Sequence, residues 1–128
     1  MALTDKNGMI GSDGGTIKGK GHPRSAGTFP RVLGKYVRDE KAITIIDALK
    51  KMTLIPAERI GLYNKGVIAL EKDADLTLFN PDTVIDKADF SKLAKPEGIE
   101  YVIINGKVAL FKGEAAVFNS GRFIKNRP

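Results

Sequence analysis

Cysteine and tryptophan are missing from this chain of 128 residues, and histidine occurs once, as His22. Without cysteine there are no disulfides and no thiolate metal ligands. A single imidazole cannot supply the histidine-rich shell of a typical zinc site. No stretch of about 20 apolar residues is present, so no membrane-spanning helix is expected. The opening MALTDKNGMI lacks the charged-then-apolar order of a secretory signal, which points to the cytoplasm. Basic runs interleaved with aromatics are also lacking, which argues against a nucleic-acid partner. What remains, 42% hydrophobic and 28% charged residues, is the composition of a soluble globular chain. The net charge of +6 is uneven: residues 1–64 hold 11 Lys/Arg against 6 Asp/Glu, and residues 65–128 hold 10 against 9. A basic first half fits either a solvated basic face or an anionic small substrate.

Residues 8–21 contain six glycines and one carboxylate, Asp13, which follows a short apolar run. An acid placed between a strand and a loop is the pattern of a catalytic carboxylate at the mouth of a β/α barrel. It is equally the pattern of an Asp-Gly turn. The nearby GGTIKGKG approaches a phosphate-binding loop, with Gly14, Gly19 and Lys20 in place. Gly21 stands where a Ser or Thr should reach magnesium, and His22-Pro23 follows in place of a helix start. No nucleotide site is expected.

Thr28 as N-cap, with Pro30 in the first turn, predicts a helix over residues 28–39. Its apolar stripe is Phe29, Val32, Leu33, Tyr36 and Val37, and Gly34 is expected at a close packing contact. Thr44 with Asp47 predicts a second capped helix burying Ile45, Ile46, Leu49 and Met52. Pro56 and Gly61 bracket a short third one. From Gly66 the period changes. Val67–Leu70 and Leu76–Phe79 read as strands around the turn Glu71-Lys72-Asp73, where Glu71 is a poor residue for positive φ. Residues 82–96 read as a polar excursion with a helical turn near Asp89–Leu93. Tyr101–Ile104, Asn105-Gly106 and Lys107–Phe111 read as a type I′ hairpin. Residues 112–114 form another turn, residues 115–118 a last strand and residues 121–128 a basic tail.

Several of these stretches resemble the N-acyl-D-amino-acid deacylases (D-aminoacylases) of the amidohydrolase superfamily: GSDG followed by HPRSAGTFPRVLGKYVRD, then ALKKMTLIPAERIGL, GVIALEKDADLTLFNPDTV and PEGIEYVIINGKV. The resemblance runs from about Leu3 to about Arg122. It implies an α+β piece: the C-terminal helices of a metal-dependent β/α barrel, then strands of a small composite β domain. Most of the barrel is absent, since a full one takes roughly 250 residues. The implied division is 1–64 for the last barrel strand, glycine-rich loop and helices, and 65–128 for the β portion.

The implied activity is hydrolysis of an N-acyl-D-amino acid to a carboxylate and a D-amino acid. Asp13 matches the family's catalytic, metal-associated aspartate, acting as base and then as acid to the leaving amine. Arg24, Arg31 and His22 are the candidate substrate-binding residues, a guanidinium being suited to a substrate carboxylate. The zinc of the intact enzyme has no complete ligand set in this sequence, so the chain alone is expected to be inactive and metal-free. The alternative is a non-enzymatic self-associating module or a subunit of a split hydrolase. Expected partners are the missing barrel portion or further copies of the chain.

Overall fold

The computed structural model describes residues 2–17, 20–117 and 119–125. Lys18 and Gly19 of the glycine loop, Phe118 at the end of the expected last strand, and residues 126–128 of the tail lie outside the described residues. The fold mixes helices with antiparallel sheet. A 3₁₀ turn at Ala2–Thr4 leads to a two-residue hairpin, β1 (Thr16–Ile17) and β2 (Lys20–Gly21). Three helices follow: α1 (Arg24–Arg31), α2 (Ile45–Met52) and α3 (Leu54–Arg59). The second half is a meander of β3 (Leu76–Phe79), β4 (Ile99–Ile104), β5 (Lys107–Phe111) and β6 (Glu114–Ala115), hydrogen-bonded in that order.

The first helix begins four residues earlier than Thr28. Pro23, at φ −49°, is already helical, and the His22 carbonyl accepts the Ser25 N–H at 2.9 Å. Thr28 therefore sits inside the helix, and its hydroxyl bonds back to the Arg24 carbonyl at 3.0 Å. Pro30 falls late in α1, where it removes one ladder bond. Directly beyond it, Val32–Asp39 continues as a π-helix, ending with the Glu40 N–H on the Lys35 carbonyl at 2.8 Å. Val32 and Leu33 of the expected stripe are buried, while Phe29 is largely exposed.

The second helix is capped as expected: the Thr44 hydroxyl accepts the Asp47 N–H at 3.1 Å and donates to its carboxylate at 2.7 Å. Its buried residues differ from the expected set. Ala48 and Lys51 are buried, and Ile46 points outward. Leu54 starts α3 two residues before Pro56, and Gly61 ends it at φ 75°.

The core lies where a strap of the second half crosses the helices. Val84 and Ala88 are buried there with Val32, Leu33, Ala48 and Ala57. Gly34 permits this crossing: a Cβ on it would sit 2.3 Å from the Val84 carbonyl oxygen. Arg38 fastens the same point, donating to the Val84 carbonyl at 2.8 Å.

In the sheet, Asn105 (φ 50°) and Gly106 (φ 74°) make the expected two-residue turn between β4 and β5. Val67–Leu70 is not a strand. Its β-branched residues find no ladder partner among the described residues, and Ile68 and Leu70 are almost fully exposed. Glu71 does take a positive φ, 65°. Residues 89–93 form no helical turn. The Asp89 carboxylate instead accepts the backbone N–H groups of Ser91 and Lys92 at 2.7 and 2.8 Å.

Candidate active site

Helix α1 gathers the candidate residues at its N-terminal end. His22-Pro23 opens the helix because proline presets a helical φ and lacks the N–H that a first turn leaves unpaired. The His22 Nδ1 accepts the Arg24 N–H at 3.1 Å, so the imidazole caps the helix. The opposite edge of the ring meets Phe90 edge-on, with centroids 4.8 Å apart. Arg24, in the first turn, reaches back to Asp13: guanidinium and carboxylate lie 2.9 Å apart. The Asp13 side chain is 90% exposed, and its backbone is held at φ 45°, a left-handed conformation that costs a non-glycine residue about 1–3 kcal/mol.

Arg31, two turns along the same face, is engaged elsewhere. Its Nε and Nη2 both donate to Oδ2 of Asp86, at 2.9 and 2.6 Å. The hydrogen bond to Asp86 raises the guanidinium's pKa above its ordinary value, against the lowering effect of burial. Between α1 and the strap lies a groove of about 240 Å³ lined by His22, Arg24, Thr28, Arg31, Asp86 and Phe90. Asp13, joined to Arg24, stands beside it. Three of the four residues singled out in the sequence, Asp13, His22 and Arg24, thus meet at one helix end. Arg31 faces the same groove but is tied to Asp86.

Asp86 and Phe90 were not singled out by the sequence reading. They lie in a polar stretch without periodicity, and Asp86 is 55 residues from the arginine it neutralises. The one available signal is that the stretch keeps Val84 and Ala88 at even spacing around Asp86, so that part of it faces inward.

The residues present do not fit a zinc centre by themselves. Among the described residues no three His, Cys, Asp or Glu side chains group closely enough to hold a metal ion. The Asp13 carboxylate is matched to a guanidinium instead. The site as it stands offers an exposed carboxylate, a cation beside it, and a half-aromatic, half-charged groove.

Comparison with known proteins gives three findings. The model of the amidohydrolase family (Amidohydro_1) matches residues 1–109. An N-acyl-D-glutamate deacylase of Alcaligenes xylosoxydans xylosoxydans is 41% identical over 119 residues, covering 91% of this chain and 24% of that enzyme. Among solved structures, a D-aminoacylase described by its binuclear metal centre superposes with a TM-score of 0.85 at 39% identity, over 89% of this chain and 24% of its own. The N-acyl-D-glutamate deacylase of Bordetella bronchiseptica, solved with zinc and a phosphonate inhibitor, superposes with a TM-score of 0.76 at 39% identity, over 79% of this chain and 22% of its own. The chain spans about a quarter of the length of the curated relative it matches.

Proposed function

The chain belongs to the amidohydrolase family, and on that footing we propose that it is the C-terminal portion of a hydrolase of N-acyl-D-amino acids, contributing the proton-transfer carboxylate Asp13. The observation that carries this reading is Asp13 itself: an exposed carboxylate in a strained backbone conformation, paired with Arg24 beside a groove. Strain of that kind concentrates at functional sites. In the proposed reaction Asp13 takes a proton from the attacking water and returns it to the leaving nitrogen.

Arg24 is the residue to receive the substrate carboxylate, in the two-pronged way a guanidinium favours. A bound substrate would then replace Asp13 as the partner of Arg24 and leave the Asp13 carboxylate available for proton transfer. Arg31 holds the floor of the groove through Asp86, and His22 with Phe90 forms its wall. The zinc ligands are assigned to the part of the relatives' length that this chain does not span. Residues 1–64 form the site-bearing portion in this reading, and residues 65–128 a β layer completed by polypeptide outside this chain.

The test joins the chain to the missing portion of a full-length relative and follows hydrolysis of N-acyl-D-amino acids. Asp13→Asn is expected to lower turnover by a factor of about 10²–10⁴ with folding intact. A variant at full turnover would reduce Asp13 to a turn residue. The chain by itself is expected neither to turn over substrate nor to retain stoichiometric zinc on dialysis.

One further observation supports a second, compatible reading, that of a subunit which associates with its own copies or with a separate barrel chain. Along β3 and β4 runs an open groove of about 600 Å³ bordered by Leu78, Phe79 and Tyr101. Apolar surface of this kind favours association. Light scattering at micromolar concentration decides it: a monodisperse monomer excludes self-association.

A further inference from the structure

Lys51 is the one charged residue buried as a whole among the described residues, at 5% exposure. It belongs to α2, yet its ammonium serves the far N-terminal segment. Nζ donates to the carbonyls of Asp5 and of Gly8, the latter at 3.0 Å. The Lys51 carbonyl in turn accepts the Ile10 N–H at 3.1 Å, and the Gly8 N–H closes a turn on Asp5 at 3.1 Å. Residues 8–15 belong to no sheet, so their backbone groups depend on such partners. Burying an ammonium is costly, and a methionine of similar length would fill the same space without that cost. What a methionine lacks is the set of donors.

A second anchor lies on the other side of Asp13. The Ser25 hydroxyl, on α1, accepts the Gly15 N–H at 3.1 Å and donates to the Gly15 carbonyl at 2.9 Å. Gly14 passes so near that a Cβ on it would fall 2.7 Å from the Ser25 Cα. Asp13 thus sits on a short span pinned at Ile10 by one helix and at Gly15 by another.

We propose that Lys51 and Ser25 are positioning residues, a two-point mount that sets the place of the Asp13 carboxylate against α1. The proposal rests on the reading of Asp13 as the proton-transfer group. A span held at one end can still swing, whereas one held at both ends fixes the residue between them. A carboxylate misplaced by about 1 Å can cost about 10²-fold in rate.

Hydrogen exchange in the chain itself reads the mount without needing turnover. Lys51→Met is expected to speed exchange at Gly8 and Ile10, and Ser25→Ala at Gly15, by about tenfold or more. The buried Val84 amide, on the strap, should keep its protection in both variants, and Lys51→Arg should restore slow exchange at Gly8 and Ile10. Unchanged exchange at those amides, or an equal loss at Val84, overturns the proposal. In the joined enzyme, Lys51→Met and Ser25→Ala are expected to lower kcat while KM stays within about twofold. A change confined to KM overturns it as well. If Asp13→Asn leaves turnover intact while the exchange results hold, the reading of Asp13 has failed and the mount survives only as architecture.

Discussion

Val84 and Ala48, on the helical side, expose none of their surface, and Val32 exposes 6%. No residue of β3 to β6 is buried, although β4 reads Ile-Glu-Tyr-Val-Ile-Ile and carries apolar side chains on both faces. A strand that is apolar on both faces is one made to be covered on both. The helical region has closed around its own core with the help of the 84–88 strap. The sheet is held mainly by its ladder and its tight turns, with rings such as Tyr101 and Phe111 meeting across strands at 4.7 Å. The two regions therefore differ in what holds them. One depends on close packing, the other on hydrogen bonds and on a cover that lies outside this chain.

Substitutions separate the two by magnitude. Gly34→Val should have the largest effect, about 3 kcal/mol or more, because its added carbons meet backbone atoms of the strap that cannot move aside. Thermal denaturation would read it, and a near-native midpoint would break the claim that the strap and the π-helix share one core. Val84→Ala should cost about 2–3 kcal/mol from lost burial and the cavity it leaves. Its counterpart Val108→Ala on β5, where the side chain is 43% exposed, should cost less than half as much. Equal values from denaturant titrations would erase the distinction between the regions.

Asp86→Ala is expected to cost about 1–2 kcal/mol. That is less than for a fully buried pair, because Arg31 is about half exposed. The smallest effect belongs to the joint between the sheet and the preceding loop. There Asp75 accepts the Asn105 N–H at 2.8 Å and faces Lys65. The Asn105 N–H, followed by Lys65, holds the Asp75 carboxyl below its ordinary value of 3.8. Its contribution is complete above that value and is lost as the pH falls through the lower, folded one. Lys65 is shifted upward from 10.5, chiefly by its hydrogen bond to Asp75. Its share is complete below 10.5 and is lost as the pH rises through the folded value. Acid titration of Asp75→Asn beside the unchanged chain should show a shallower loss of stability in the variant. Identical curves would remove Asp75 from the joint.

Local chemistry made part of this architecture legible in the sequence. Asn105-Gly106 announced its turn because both residues accept positive φ, and Thr44 announced its cap through Asp47 three residues on. The family motif around Asp13, His22 and Arg24 lies within 12 residues of chain, and those residues do meet. What escaped depends on distant partners. Val67–Leu70 has the residues of a strand and no neighbour to pair with. Lys51 reads as a surface lysine on an amphipathic helix until the segment beneath it is seen. The early start of α1 was missed because Thr28 satisfies the rules for a cap while serving the Arg24 carbonyl instead.

The π-helix over Val32–Asp39 makes the chain's numbering part of its architecture. Its ladder reaches one residue further than an α-helix's, so each turn consumes more sequence. Deleting a single residue between Pro30 and Asp39 would let that stretch relax to the tighter spiral. Each residue beyond the deletion would then turn by about 100° around the helix axis. Arg38 would leave the Val84 carbonyl, and Gly34 or its replacement would no longer face the strap. Members of this family that differ in length by one residue here should therefore also differ in which residue is small at the crossing, and the two changes should be found together.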